Sequence, residues 1–168
     1  MIKLDNENVV VGSANISTTP LKPFDLNVLN FLDLISKEIQ NNDKTKFNSE
    51  LSTFGFFCRK KNLQKLKKIH FIEKSGTIRL GLGLAFHITP SNIPTNFAYS
   101  LVFGLLCGNS NIIKLPSQNF YEIEQLCFIF NKVLKKFPKI KKLILIVKTE
   151  NSEDFSKKIS EISDLRVI

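Results

Sequence analysis

From residue 82 to the last residue, short apolar runs alternate with stretches of helical spacing, and no other feature constrains the fold as tightly. Residues 82–88 form an apolar run closed by Pro90 and read as a buried strand. Residues 95–107 read as an apolar helix, with Thr95 or Asn96 as its cap and Gly108 as its stop. Residues 111–115 are a second, β-branched strand. Asn119 opens the next helix, with Glu122 three residues on as a capping box would have it, and that helix ends near Phe137 and Pro138. Residues 143–147 are a third strand. Residues 152–162 form an amphipathic helix with Glu153 and Asp154 in its first turn, and residues 165–168 begin a fourth strand. Strands that are apolar on both faces and separated by helices predict an α/β fold, with a parallel sheet covered on both sides and right-handed crossovers. Ligands bind such sheets beyond the carboxyl ends of the strands. Here those ends are residues 89–94, 114–117 and 148–152.

The segment before this alternation is mainly helical. The first 24 or so residues are irregular, with a short strand at Val9, Val10 and Val11 and a loop over 18–23. Over 24–39, Leu26, Val28, Leu29, Leu32 and Ile35 share one helical face, and Asp25 caps the start. Asn41, Asn42 and Asp43 break that helix. A second helix is predicted over 47–56 and a basic one over 61–69. The chain thus divides into a helical N-terminal lobe, residues 1–70, and a sheet-containing part, residues 71–168. It ends on a β-type run, and a parallel sheet that stops on an inner strand leaves an unpaired edge, so the second part is expected to be an incomplete domain.

Composition narrows the functional classes. At 168 residues, 43% hydrophobic and 23% charged, the chain can bury a real core. Its net charge is +9, from 24 Lys and Arg against 15 Asp and Glu. The basic runs, Arg59-Lys60-Lys61 with Lys65, Lys67 and Lys68, and Lys135-Lys136 through Lys141-Lys142, read as solvated faces. A nucleic-acid footprint would cluster on one element. Three cysteines make no closed disulfide framework. The longest apolar stretch, 97–107, is interrupted by Gly and Ser and falls short of the roughly 20 residues that span a bilayer. No secretion signal opens the chain, which leaves the Asn15-Ile16-Ser17 site without a role and makes the expected location cytoplasmic.

Two segments carry chemistry. In Gly83-Leu-Ala-Phe-His87-Ile-Thr-Pro90-Ser-Asn92-Ile-Pro94, a strand ends in a turn held by two prolines. Proline fixes φ and biases the residue before it to extended backbone, so the Asn92 amide is held at the strand end, where it can stabilise a developing oxyanion. On spacing alone an Asx turn fits Pro-x-Asn-x-Pro equally well and is the commoner reading. In Gly108-Asn109-Ser-Asn-Ile-Ile-Lys114-Leu-Pro116-Ser117, a lysine and a hydroxyl follow a buried strand, which suits the ribose or phosphate of a dinucleotide. The alternative is a lysine that snorkels out at a strand end.

Together these segments resemble the aldehyde dehydrogenase superfamily. Pro90-Ser91-Asn92-Ile93-Pro94 resembles its Pro-Trp-Asn-Phe-Pro motif, and Gly108-Asn109 with Lys114-Leu115-Pro116-Ser117 resembles its Gly-Asn…Lys-Pro-Ser-Glu motif. The closer resemblance, over roughly residues 25–168, is to the long-chain fatty-acyl-CoA reductases of bacterial luminescence, the LuxC family. Gly55-Phe-Phe-Cys-Arg59-Lys-Lys-Asn62 is similar to its Gly-Phe-Trp-x-Arg-Lys-x-Asn stretch.

The resemblance implies part of a Rossmann-like, NADP-binding domain. It implies reduction of a fatty acyl thioester to the aldehyde with NADPH, through a cysteine acyl-enzyme. Asn92 matches the oxyanion donor, and Thr89, Pro90, Ser91, Lys114 and Ser117 match cofactor-binding positions, with Lys114 on the adenosine ribose. NAD-preferring relatives often carry Glu where Ser117 stands, so Ser117 favours NADP. The implied acyl donor is a fatty acyl-CoA or an acylated protein. An acyl-protein synthetase partner and a homo-oligomer are compatible with the family, and no metal is implied. The nucleophilic cysteine of the family lies well over a hundred residues after Asn92, beyond this chain. Cys58, Cys107 and Cys127 read as core residues, His87 as a packed core histidine and His70 as a surface one. The expectation is an N-terminal portion, an expressed fragment or the product of an interrupted gene, inactive alone and binding NADPH very weakly or not at all. Two other readings stand beside it: a different CoA-acylating or acyl-phosphate-reducing relative, or a non-catalytic basic module whose binding weakens steeply with salt.

Overall fold

The computed structural model describes residues 2–3, 8–70, 76–90, 92–149 and 152–168. Two short N-terminal strands, β1 (Ile2–Lys3) and β2 (Val9–Gly12), are followed by β3 (Asn15–Ile16). Four helices come next: α1 (Leu26–Gln40), α2 (Asp43–Lys46), α3 (Ser49–Phe57) and α4 (Lys60–His70). The alternating part contains β4 (Leu84–Ile88), α5 (Asn96–Leu106), β5 (Ser110–Lys114), α6 (Tyr121–Leu134), α7 (Pro138–Lys141), β6 (Ile144–Val147), α8 (Ser152–Ile162) and β7 (Leu165–Val167).

The main sheet has the order β2-β6-β5-β4-β7. β4 pairs in parallel with β5 and with β7, and β5 pairs in parallel with β6. The fold is therefore mixed α/β with a mostly parallel sheet. The departure from an all-parallel sheet is β2, which runs antiparallel along β6. The sequence predicts a strand at Val9–Val11 but does not place it in the sheet. Gly12 makes this pairing possible: its φ is +95°, and a Cβ there would sit 1.9 Å from the carbonyl oxygen of Ile144.

Counting the parallel strands in chain order, the sheet reads third, second, first, fourth. The order reverses between β4 and β7, and in open α/β sheets that reversal opens a crevice at the carboxyl edge.

The two sheet faces are covered unequally. One carries Ile113, Ile144 and Ile146 against Phe97, Leu101 and Leu105 of α5 and Ile129 and Phe130 of α6. Val28, Phe31, Leu32 and Ile35 of α1, Leu51 and Phe54 of α3 and Leu63 of α4 join the same apolar cluster. Full burial of one such side chain stabilises the fold by about 1.5–3 kcal/mol. The other face, with Leu84, Phe86, Ile112 and Leu145, packs on Ile159 and Phe155 of α8 and on Ile16. The division drawn between residues 70 and 71 abuts residues 71–75, which lie outside the described residues.

Local caps explain several boundaries. Asp25 Oδ1 accepts from the N–H groups of Asn27, at 2.8 Å, and Val28, at 3.4 Å, and so starts α1. The capping box expected at Asn119 and Glu122 does not form. Here α6 begins at Tyr121 behind Phe120, with no side-chain cap. Both polar residues have tertiary partners instead: Asn119 Oδ1 takes Lys148 Nζ, and Glu122 Oε1 takes Asn48 Nδ2 at 2.9 Å. Thr95 precedes α5 but caps nothing with its side chain, because its hydroxyl is 3.4 Å from Glu50 Oε2.

Candidate active site at the carboxyl edge of the sheet

The ends of β4 and β5 lie side by side because the two strands pair in register, Ile88 beside Lys114. Thr89 Oγ1 donates to the carbonyl of Lys114 at 3.3 Å and ties the two ends together. The turn that follows holds Asn92 exposed to solvent. The Asx turn does not form. Its usual donor would be the backbone N–H two residues on, which Pro94 lacks, and the Asn92 side chain makes no hydrogen bond among the described residues. Ser91 lies outside the described residues.

Lys114 is half-buried and forms no ion pair among the described residues. Alternation puts it on the face that carries Ile112 and Ile88, the side covered by α8. Ser117 is exposed two residues beyond Leu115, whose N–H bonds to the carbonyl of Val147.

A crevice of about 420 Å³ opens at the strand-order reversal, lined by Ile88, Thr89, Pro90, Asn96, Ser100, Val167 and Ile168. Thr89 and Pro90, named from sequence, line it. Asn92, Lys114 and Ser117 do not; they stand at the same edge but outside this crevice. Asn96 and Ser100 were missed. Their signal is a polar stripe on an apolar helix, Asn96, Ser100 and Gly104 at successive four-residue steps.

His87 is 3% exposed, as a packed core histidine should be. Nδ1 lies 2.7 Å from Ser100 Oγ, and Nε2 lies 3.0 Å from Asn111 Oδ1. Burial lowers the His87 pKa from the ordinary 6.5, opposed by its bond to Asn111. The unfolded chain therefore binds more protons than the folded one below pH 6.5. Stability is full above that pH and falls as pH drops through the window beneath it, by at most about 1.4 kcal/mol per pH unit. Urea unfolding of wild type and His87→Gln at about pH 7.5 and 5.5 measures this: the wild type should lose more stability over the interval than the variant does.

No thiol meets the crevice. Cys58 and Cys127 are buried, and burial pushes the Cys58 thiol far up; burial and then the Glu124 charge push Cys127 up to about 12. Cys107 corrects the sequence reading, being exposed instead of in the core. It follows the last residue of α5, about 16 Å of helix from the carboxyl edge. Its pKa is also raised by burial, and a helix C-terminus disfavours a thiolate. A disulfide-exchange reagent should therefore label one of the three thiols in the native protein and all three in denaturant. Two native labels would contradict these burials.

The basic run at the start of α4 has local partners. Lys60 Nζ donates to Asn30 Oδ1 at 2.8 Å, the Lys60 N–H donates to Asp33, and Arg59 stacks 4.7 Å over Phe56. A groove between α1 and α4 runs past these residues. Among the described residues no helix is long and apolar enough to cross a membrane, and no group of three His, Cys, Asp or Glu residues is placed to hold a metal.

The chain is thus a mixed α/β protein with a mostly parallel sheet whose order reverses beside a crevice, and at the same edge stand the Asn92 and Lys114 side chains, which have no hydrogen-bond or ion-pair partner among the described residues. Its family follows from sequence comparison: the model for acyl-CoA reductase (LuxC) matches residues 28–168, and the chain belongs to that family. No curated protein and no solved structure matches it.

Proposed function

We propose that this chain forms the first half of a Rossmann-like, NADP-binding domain of a cytoplasmic reductase that converts fatty acyl thioesters to aldehydes. What carries the reading is the juxtaposition of the two motif-bearing turns, after strands paired with Ile88 beside Lys114. The helices before residue 70 form its N-terminal lobe.

The residues present fit a dinucleotide. Lys114 offers an ammonium with no ion-pair partner among the described residues, and the crevice at the strand reversal is where such sheets bind nucleotides. Bound NADPH would supply the hydride. Lys114 donates to the adenosine ribose, Ser117 leaves space for its 2′-phosphate, and Thr89, Pro90 and Ser91 border the cofactor. Asn92 donates its amide N–H to the acyl carbonyl oxygen as negative charge develops there. The acyl group passes through a thioester on a cysteine that is none of Cys58, Cys107 and Cys127, since these are buried or at the opposite edge. This chain alone therefore turns over no acyl-CoA.

The test is a change of coenzyme preference. Ser117→Glu places a carboxylate where the 2′-phosphate sits, and like charges in contact cost several kcal/mol. In an active reductase carrying this sequence, the ratio of NADPH to NADH dissociation constants, read by nucleotide fluorescence, should move at least tenfold toward NADH. Lys114→Met should weaken both nucleotides. An unchanged ratio in Ser117→Glu, with undiminished binding in Lys114→Met, would place the nucleotide elsewhere.

A further inference from the structure

Behind the β4–β7 crevice runs a chain of buried polar groups whose hydrogen-bond directions are all set from one end. The carbonyl of Asn109 can only accept, and it takes Asn111 Nδ2 at 2.8 Å. That turns Asn111 Oδ1 toward His87. An amide oxygen also only accepts, so His87 Nε2 carries the proton in its 3.0 Å contact. In the neutral ring Nδ1 is then an acceptor, and the 2.7 Å contact with Ser100 Oγ is donated by the serine. Ser100 has its single proton committed and only lone pairs left for the crevice it lines. The chain of groups is tightly enclosed: a Cβ at Gly104 would lie 1.8 Å from Asn111 Oδ1 and 3.2 Å from His87 Nε2.

We propose that Ser100 is a specificity-determining residue of this crevice, accepting a hydrogen bond from an uncharged ligand donor, a ribose hydroxyl or a carboxamide N–H, and disfavouring an anionic oxygen. His87 and Asn111 are its positioning residues. The inference rests on the nucleotide reading above and adds which part of the nucleotide enters here. The lining agrees with it: Ile88, Pro90, Val167 and Ile168 are apolar, and among the described residues none of the lining carries a cationic side chain for a phosphate. Phosphate is left to Lys114, one strand away.

The chain has two histidines, so a sample with ¹⁵N-labelled imidazoles gives only two ring patterns. His87 should show the Nε2–H tautomer; the Nδ1–H tautomer would overturn the proposal, because Ser100 could then donate. Millimolar dihydronicotinamide riboside, adenosine and inorganic phosphate are then titrated separately. At least one nucleoside should shift His87 Nδ1 and the Ser100 amide, and phosphate should shift neither. A response to the riboside alone assigns the nicotinamide end, and a response to adenosine assigns an adenosine ribose here and overturns its placement on Lys114. A phosphate response equal to the nucleosides' overturns the proposal. Ser100→Ala should weaken the responding nucleoside at least tenfold, while Ser100→Thr, which keeps the hydroxyl, should stay within threefold; equal losses overturn it. NADPH titrated in parallel separates the two claims. Shifts at the amides of Lys114, Leu115 and Ser117 without any at Ser100 or His87 overturn this inference and leave the nucleotide assignment standing. No shift at either place, with NADPH or with the nucleosides, overturns this inference, and the nucleotide assignment then stands or falls by the coenzyme ratio above.

Discussion

Gly104→Ala should destabilise the protein by about 2–4 kcal/mol, although the change ordinarily favours a helix by about 1 kcal/mol. Gly104 lies in α5, and its new methyl would sit 1.8 Å from Asn111 Oδ1. Either α5 lifts off the sheet or the Asn111 amide turns away. Lifting the helix loosens contacts of Phe97, Leu101 and Leu105, all at most 1% exposed. Turning the amide breaks its bonds to His87 and to the Asn109 carbonyl, and each buried polar group left unmade costs about 1–3 kcal/mol. Urea unfolding measures the loss. Adding Asn111→Ala to Gly104→Ala removes the oxygen that the methyl meets. The double variant should therefore be more stable than the sum of the two single losses requires. A neutral or stabilising Gly104→Ala would mean that α5 does not approach β5 this closely.

The second large effect falls on turnover. In an active reductase carrying this sequence, Asn92→Ala should lower kcat by about 10²–10³-fold with KM little changed, the loss seen when one oxyanion donor is removed. Asn92 is exposed and bonds to nothing among the described residues, so the same change should leave stability within about 0.5 kcal/mol. These two expectations separate a chemical role from a structural one. Unchanged kcat together with a marked stability loss would make Asn92 a turn residue and nothing more.

The sheet was readable because its signals are local. Apolar runs such as Ile112-Ile113 and Leu143 to Val147 are too short for helices and too apolar for loops, and Gly108 and the prolines at 90, 94, 116 and 138 punctuate them. Asp25 and the stripe from Val28 to Ile35 located α1 for the same reason. What sequence could not give was tertiary choice. Val9–Gly12 is four residues long, and only the open edge of β6 decides that it joins the sheet. Asn119 and Glu122 have the spacing of a capping box, but Lys148 and Asn48 claim them first. Cys107 closes an apolar helix and looks like core, yet it faces solvent where α5 turns toward β5. The sequence places ligands beyond the carboxyl ends of three strands without choosing between the gaps, and the crevice does not open between the two motif strands. It opens instead on the far side of β4, because β7 pairs there, and no local pattern reveals that reversal.

A crystal structure of an active reductase carrying this sequence, soaked in NADPH, tests the assignment most directly. Nucleotide density should run along the carboxyl edge of the sheet, with the adenosine 2′-phosphate beside Lys114 and Ser117 and the chain's fold unchanged. Density instead in the groove between α1 and α4, against Arg59, Lys60 and Lys61, would contradict it and make the basic helix the binding element.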